Sequence, residues 1–367
     1  MPLPASTLMD PASRRGRGAP ANGLSQRFDD KLRLGFDDGW GSAQTASAED
    51  GTLKTHVTID ASRSALAYNR SPDIPFDRSI NPYRGCEHGC IYCFARPSHA
   101  YLGLSPGLDF ETRLVAKPDA PALLKAEIAA PGYVPKPIAL GTNTDPYQPI
   151  EKRLAITRAI LQVLEEAGHP LTIVTKSYLV TRDSDILTRL AQRRLVKVFL
   201  SVTSLDHRLA RTMEPRAATP GRRLEAMAML AKAGIPTGVM VAPVIPALND
   251  HELEWILAAA ADAGARSAAH IPLRLPHEVK ELFRQWLAEH FPDRAARVMA
   301  LVRAMRGGRD NDPRFGHRMR GQGAYAAMLD QRFKLACKRY GLSGRGGELT
   351  VAHFIPPTTQ PVQLSLF

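Results

Sequence analysis

Three cysteines, Cys86, Cys90 and Cys93, are spaced C-x3-C-x2-C, and the only other cysteine of the 367-residue chain, Cys337, stands far away. A closed structural zinc site takes four nitrogen or sulfur ligands, and a cubane iron–sulfur cluster takes four thiolates. Three local thiolates on a tight loop therefore point to a cluster with one iron left open for a small-molecule ligand. The other readings are a zinc knuckle completed by His88 or His99, which lacks the usual second ligand pair, and three unrelated thiols.

Further along, polar residues recur at the ends of apolar runs. Gly141-Thr142-Asn143-Thr144-Asp145-Pro146-Tyr147-Gln148-Pro149 is a polar turn stiffened by two prolines, and an ordinary Asp-Pro turn is its plainer reading. Lys176 lies in Thr175-Lys176-Ser177, where a buried lysine needs an anionic partner. Ser201 and Thr203 close the next run. Asn249-Asp250 reads as a helix N-cap, and Arg274 closes the last run. In Phe315 to Tyr325, glycines alternate with Arg318 and Arg320. Those arginines can fork onto a phosphate or carboxylate, or the segment is a turn with solvated charges.

The elements that must position these residues alternate. Candidate strands are 79–83, 137–141, 171–175, 196–202, 237–242 and 268–273. Helical patterns lie between them at 120–130, 154–167, 184–194, 220–233 and 250–263. Such alternation predicts an α/β fold of parallel strands with right-handed crossovers, with the site at the strands' carboxyl ends. A helical region follows over roughly 276–342. The expected organisation is a disordered basic segment over 1–55, a barrel domain over 56–280, a helical region over 281–345 and an extended tail over 346–367.

The cysteine spacing with Tyr92 before the last cysteine resembles the cluster loop of the radical S-adenosylmethionine (radical SAM) superfamily. Asn81-Pro-Tyr-Arg-Gly-Cys86, the Gly-Thr-Asn-Thr-Asp-Pro-Tyr-Gln turn and Thr-Lys-Ser together resemble its spore photoproduct lyase-like, or DNA repair photolyase-like, branch. The resemblance implies a partial (β/α)6 TIM-type barrel with a C-terminal helical extension. It also implies a 4Fe-4S cluster held by Cys86, Cys90 and Cys93, and S-adenosylmethionine reductively cleaved to a 5'-deoxyadenosyl radical. Tyr92, Asn143, Thr144, Asp145, Lys176, Ser201 and Thr203 then fall at cofactor-binding positions: the turn on the methionine ammonium, Lys176 on its carboxylate, and Ser201 or Thr203 on the ribose. An electron donor such as flavodoxin or ferredoxin is implied as partner. One departure stands out: the lyase has a hydrogen-donating cysteine near the end of its second strand, where this chain has Gly141 and Thr142.

The last residues, Gln363, Leu364, Ser365, Leu366 and Phe367, resemble the peptide by which bacterial replication and repair proteins dock on the sliding clamp. A Pro-rich tether, 354–361, precedes them. The alternative is packing of this peptide on the protein's own body. The formal net charge of +12 favours polyanionic partners. The Arg14-Arg15-Gly16-Arg17-Gly18 tract reads as a solvated tail or a phosphate contact. With three of four cysteines in one loop, no secretion signal and no membrane-spanning stretch, a cytoplasmic location is expected. A nucleic-acid substrate is the first expectation, with Arg274, Arg318, Arg320 and Tyr325 as its contacts. Modification of a peptide, protein or RNA, and a non-catalytic nucleic-acid or clamp adaptor, are the alternatives.

Overall fold

A computed structural model describes residues 8–28, 53–342 and 348–358. Ten strands occur among them: β1 (His56–Ile59), β2 (Leu66–Tyr68), β3 (Arg78–Ile80), β4 (Tyr83–Arg84), β5 (Arg113–Ala116), β6 (Ile138–Leu140), β7 (Leu171–Thr175), β8 (Val196–Ser201), β9 (Thr237–Val244) and β10 (Ser267–Pro272). Seven form one sheet in the order β10-β9-β8-β7-β6-β3-β2. Within it β3 and β6 to β10 pair in parallel, and β2 closes one edge antiparallel to β3. These are the six parallel strands of a partial barrel, with β10 and β2 as its two edges. The small sheet β1-β5-β4 stands beside it.

The crossover helices carry an apolar face toward this sheet. Ile156–Glu166 buries Ile156, Ile160, Leu161 and Leu164, and Pro220–Lys232 buries Ala226, Met227 and Leu230. The spacing i, i+4, i+5, i+8 is one helix face. On the strands, Leu171, Ile173, Val196, Val198 and Leu200 meet these faces within the main core.

Contrary to the expected disordered segment, residues 8–28 are packed. Ala19 and Ala21 are fully buried. The amides of Gly18 and Ala19 donate to Glu111 at 2.9 and 2.8 Å. A Cβ on Gly18 would stand 1.8 Å from the Gly89 carbonyl oxygen, so only glycine lets this segment lie directly on the cysteine loop. Arg14 pairs with Glu289, and Arg17 donates to the Glu111 carbonyl at 2.9 Å and to Thr55 at 3.1 Å. These two arginines are therefore neither a solvated tail nor a phosphate contact.

The helices Val279–His290 and Pro292–Ala304 share a second core with Ala19, Ala21, Cys90, Ile91 and Tyr92. The C-terminal helical region is thus continuous with the cysteine loop. The tether also begins later than expected, because Phe354 packs edge-on against His169 and the Ile355 amide donates to the Ala167 carbonyl at 2.9 Å. The peptide Gln363 to Phe367 lies outside the described residues. No helix among the described residues is long and apolar enough to cross a membrane.

Candidate active site

The cysteine loop begins where the chain leaves β4 through Gly85. Its φ is +77°, and a Cβ there would meet the Phe110 carbonyl oxygen at 2.8 Å. The Cys86 amide donates to the Phe110 carbonyl at 2.9 Å and the Ile91 amide to the Met213 carbonyl at 3.0 Å. Arg96, fully buried, donates to the carbonyls of Gly89, Cys90, Pro106 and Gly107 and to the Glu111 carboxylate. A single guanidinium thus fixes both arms of the loop.

All three loop thiols are free; Cys86 and Cys90 are buried and Cys93 is half-buried. Burial pushes the Cys86 thiol well up and the Cys90 thiol up to about 12, although the Lys176 ammonium pulls Cys90 the other way. The thiolate is the ligand form, so these buried thiols ionise fully only when a cation replaces their protons. Among the described residues no three His, Cys, Asp or Glu side chains converge as ligands of a single metal ion would. The donor set is three thiols on one rigid loop, with Lys176 charged beside Cys90, which fits an anionic cluster with an incomplete thiolate shell. His88 and His99 are engaged elsewhere: His88 Nδ1 is 3.3 Å from Asp145 and His99 Nε2 is 2.9 Å from the Arg113 carbonyl oxygen.

A polar floor lies beneath the loop. Glu214, just past the helix His207–Met213, accepts hydrogen bonds from the Tyr92 hydroxyl, from the Arg223 guanidinium, and from Thr203 at 2.6 Å. Burial alone would raise the Glu214 carboxyl; Arg223 and then Lys176 hold it at about 2. Arg223 also donates to the carbonyls of Ser201 at 2.9 Å and Ala218 at 2.7 Å. The Lys176 ammonium stands 5.7 Å from the Tyr92 ring centroid and hydrogen-bonds none of the described residues. Against burial, Cys90 and Glu214 keep it above its ordinary pKa. It is a retained charge at the carboxyl end of β7 with no acceptor among the described residues bonded to it.

The turn after β6 differs from expectation. Asp145 accepts from Thr175 Oγ1 at 2.6 Å, the Lys176 amide at 2.7 Å and the Tyr147 amide at 2.9 Å, besides facing His88. Burial opposes its ionisation, yet His88 and these donors hold its pKa at about 2. Thr144 donates to the Gly85 carbonyl at 2.8 Å and accepts from Gln148 at 2.9 Å, and Gln148 in turn accepts from the Glu87 amide at 2.8 Å. Asp145 and Thr144 therefore bind the turn to the loop and to β7, and do not present free acceptors as expected. Asn143 is exposed, and its amide donates to Asn81 at 2.9 Å.

Other expected residues divide similarly. The hydroxyl donors of Tyr92 and Thr203 go to Glu214, and that of Ser201 to the Ala242 carbonyl at 3.3 Å. Asn249 makes no helix-capping bond. It instead donates to the carbonyls of Thr203 at 2.7 Å and Pro243 at 3.0 Å, tying the loops after β8 and β9 together. Arg274 lies at the mouth formed by the strands' carboxyl ends, its guanidinium 5.4 Å from the ring centroid of Phe94. The Tyr325 hydroxyl is engaged by Asp250, and its helix packs on the main core. Arg320 is exposed. Cys337 is buried in the main core, apart from the cores that hold the loop cysteines.

Glu214 and Arg223 are functional candidates that the sequence reading missed. The only signal was a carboxylate in Met213-Glu214-Pro215-Arg216 shortly after the fourth predicted strand, with the Arg222-Arg223 pair following.

The profile of the radical SAM superfamily matches residues 80–260. An uncharacterised protein of Mycobacterium tuberculosis is 36% identical over 310 residues, covering 82% of this chain and 86% of the relative. One of Methanocaldococcus jannaschii is 30% identical over 173 residues, covering 47% of this chain and 62% of the relative. Among solved structures, a cysteine-to-serine mutant of spore photoproduct lyase superposes with a TM-score of 0.56 at 18% identity, covering 78% of this chain and 80% of the other. A double mutant of the lyase with bound AdoMet and dinucleoside spore photoproduct gives 0.55 at 18% identity over the same shares. The chain belongs to the radical SAM superfamily, and that membership implies a 4Fe-4S cluster and S-adenosylmethionine as its cofactors.

Proposed function

We propose that this enzyme cleaves S-adenosylmethionine reductively and directs the resulting radical at a nucleic acid. The observation that carries the reading is the pairing of three free loop thiols, two of them buried, with an ammonium, Lys176, that no acceptor among the described residues bonds. Cys86, Cys90 and Cys93 hold the cluster, and Lys176 takes the cofactor's carboxylate. When bound, the cluster and cofactor supply one electron and a 5'-deoxyadenosyl radical. Glu214 keeps Lys176 and Arg223 charged at the floor, Tyr92 seals the floor as a neutral phenol, and the exposed Asn143 would offer its amide side chain to the cofactor's ammonium. Asp145 acts through the Lys176 amide as a positioning residue. The electron comes from an external donor such as flavodoxin or ferredoxin.

The nucleic-acid target is supported by the lyase-like fold, by the net charge of +12 and by the arginines at the mouth. A Cβ on Gly141 would stand 2.1 Å from the Val174 carbonyl oxygen, so a hydrogen-donating thiol has no room there. The reading is therefore a radical modification or repair step whose hydrogen return does not run through a cysteine at this strand end. The terminal peptide Gln363 to Phe367 docks the enzyme on the sliding clamp in this account, with Leu364, Leu366 and Phe367 as apolar anchors; a labelled peptide titrated with clamp tests it. Anaerobic reconstitution followed by a 5'-deoxyadenosine assay with and without DNA tests the whole. Turnover stimulated by DNA supports the reading, and turnover indifferent to DNA and RNA withdraws the substrate class.

A further inference from the structure

Arg274 follows β10 and reaches the mouth with its hydrogen-bonding capacity almost unused. Its Nε is buried without a partner among the described residues. One Nη donates to the Met319 sulfur at 3.2 Å, a weak acceptor. Two further arginines crowd it. Arg306, 1% exposed, donates to the carbonyls of Pro272, Leu273, His317 and Arg318, and its Nε is also unpartnered. Arg318 pairs with Asp73 at 2.5 Å and lies 4.5 Å from the ring centroid of Phe315. Asp73 accepts a further bond from the Gly316 amide at 2.7 Å. Burial and Arg318 press the Arg274 pKa downward, with Asp73 only partly opposing. A guanidinium keeps its charge in proteins and carries five donors, so this group calls for an anion that accepts from a planar fork. Phe94, the neighbour of Cys93, presents a 48% exposed ring beside it.

We propose that Arg274, flanked by Arg318 and Phe94, seats a phosphodiester of the nucleic-acid substrate, with a base against Phe94 and the nucleotide held beside the cysteine loop. This deepens the nucleic-acid reading and rests on it. The phosphate takes the fork of Arg274; the exposed aromatic takes a base face without sequence preference. The charge balance explains why a neutral substrate does not suit the place: Asp73, the one carboxylate among the described residues acting on Arg274, is already paired with Arg318, and Asp312, which faces Arg306, is bound to Arg314.

The test uses the full-length reconstituted protein and two probes. The first is a labelled single-stranded thymidine oligonucleotide, titrated by fluorescence anisotropy at several salt concentrations. Arg274→Gln is expected to weaken binding by about tenfold or more and to lower the salt slope by about one. Lys125→Ala, which removes one exposed charge from the helix Ala120–Ala129, serves as the charge-matched control and leaves binding essentially unchanged. Arg274→Lys retains part of the affinity, and Phe94→Ala loses several-fold; both serve if the glutamine variant fails to fold. The second probe is inorganic phosphate, which raises the melting temperature of the parent protein more than that of the Arg274 variant. Salt-dependent binding that Arg274→Gln and Phe94→Ala leave at the control level overturns the seat and spares the nucleic-acid reading. Stabilisation by phosphate without any oligonucleotide binding leaves a small-anion site and overturns both, as does no response to either probe.

Discussion

Glu214 and Arg223 form an ion pair whose side chains are 0% and 1% exposed. Two such charges in a low-dielectric floor are stable only together, and removing one partner of a buried pair costs roughly 3–5 kcal/mol. Arg223→Ala and Glu214→Ala should therefore each lower the denaturant midpoint steeply. The double change to an apolar pair should recover part of the loss, and additive losses in the double variant would contradict the coupling.

The same pair sets an acid limit. Glu214 and Asp145 are both held at about 2, below their ordinary carboxyl values. Groups depressed on folding stabilise above their unfolded pKa and lose that contribution as pH falls through the folded one. Stability should accordingly fall between about pH 4.5 and 2, and Glu214→Gln should flatten that fall. A profile in this window unchanged by the substitution would count against the assignment.

Lys176→Ala should weaken S-adenosylmethionine binding while leaving iron content intact, because the proposed partner is the cofactor's carboxylate. A charge-assisted bond is worth roughly 1.5–3 kcal/mol, or about tenfold or more in affinity, measured by isothermal titration under anaerobic conditions. Asp145→Asn should act differently, loosening the end of β7 and the cysteine loop so that thermal stability and affinity fall together. Affinity lost in neither variant would place the cofactor elsewhere.

Gly141→Ala should destabilise the protein. The position has φ of +91° and a carbonyl oxygen 2.1 Å from any Cβ, and strain at such sites costs about 1–3 kcal/mol. Thr142→Ala should cost less, since it loses only a 3.1 Å hydrogen bond to Asn81. Equal melting temperatures for the two variants would refute the steric argument.

Local signals were legible in the chain, and assembled ones were not. Strand 171–175 and the helix starts at Ala120, Ser184 and Pro220 agree with the pattern to the residue, because apolar periodicity acts over a few positions. The cysteine loop was legible for the same reason. Asp145 was misjudged because its partners arrive from His88, Tyr147, Thr175 and Lys176, and no local window shows that both its oxygens are occupied. Glu214 went unread because its partner Tyr92 and the Lys176 beside it come from distant segments, and only the Arg223 of the following helix is near in sequence. The N-terminal stretch looked disordered because its order rests on backbone amides meeting Glu111 and on the small size of Gly18, Ala19 and Ala21, which composition scores as the absence of a core.

Cluster assignment rests on Cys86, Cys90 and Cys93 alone. Cys337 lies in the main core, where burial lifts its thiol to about 11. Cys337→Ala should retain about four irons per chain and the cluster's absorbance. Loss of the cluster in that variant would make it a four-thiolate site with no open iron.

The most direct measurement is 5'-deoxyadenosine formed from S-adenosylmethionine by anaerobically reconstituted, chemically reduced protein. The account predicts product from the parent chain and from Cys337→Ala, and none from Cys86→Ala, Cys90→Ala or Cys93→Ala. Product from any of those three loop variants, or none from a parent chain that carries its full iron complement, would contradict it.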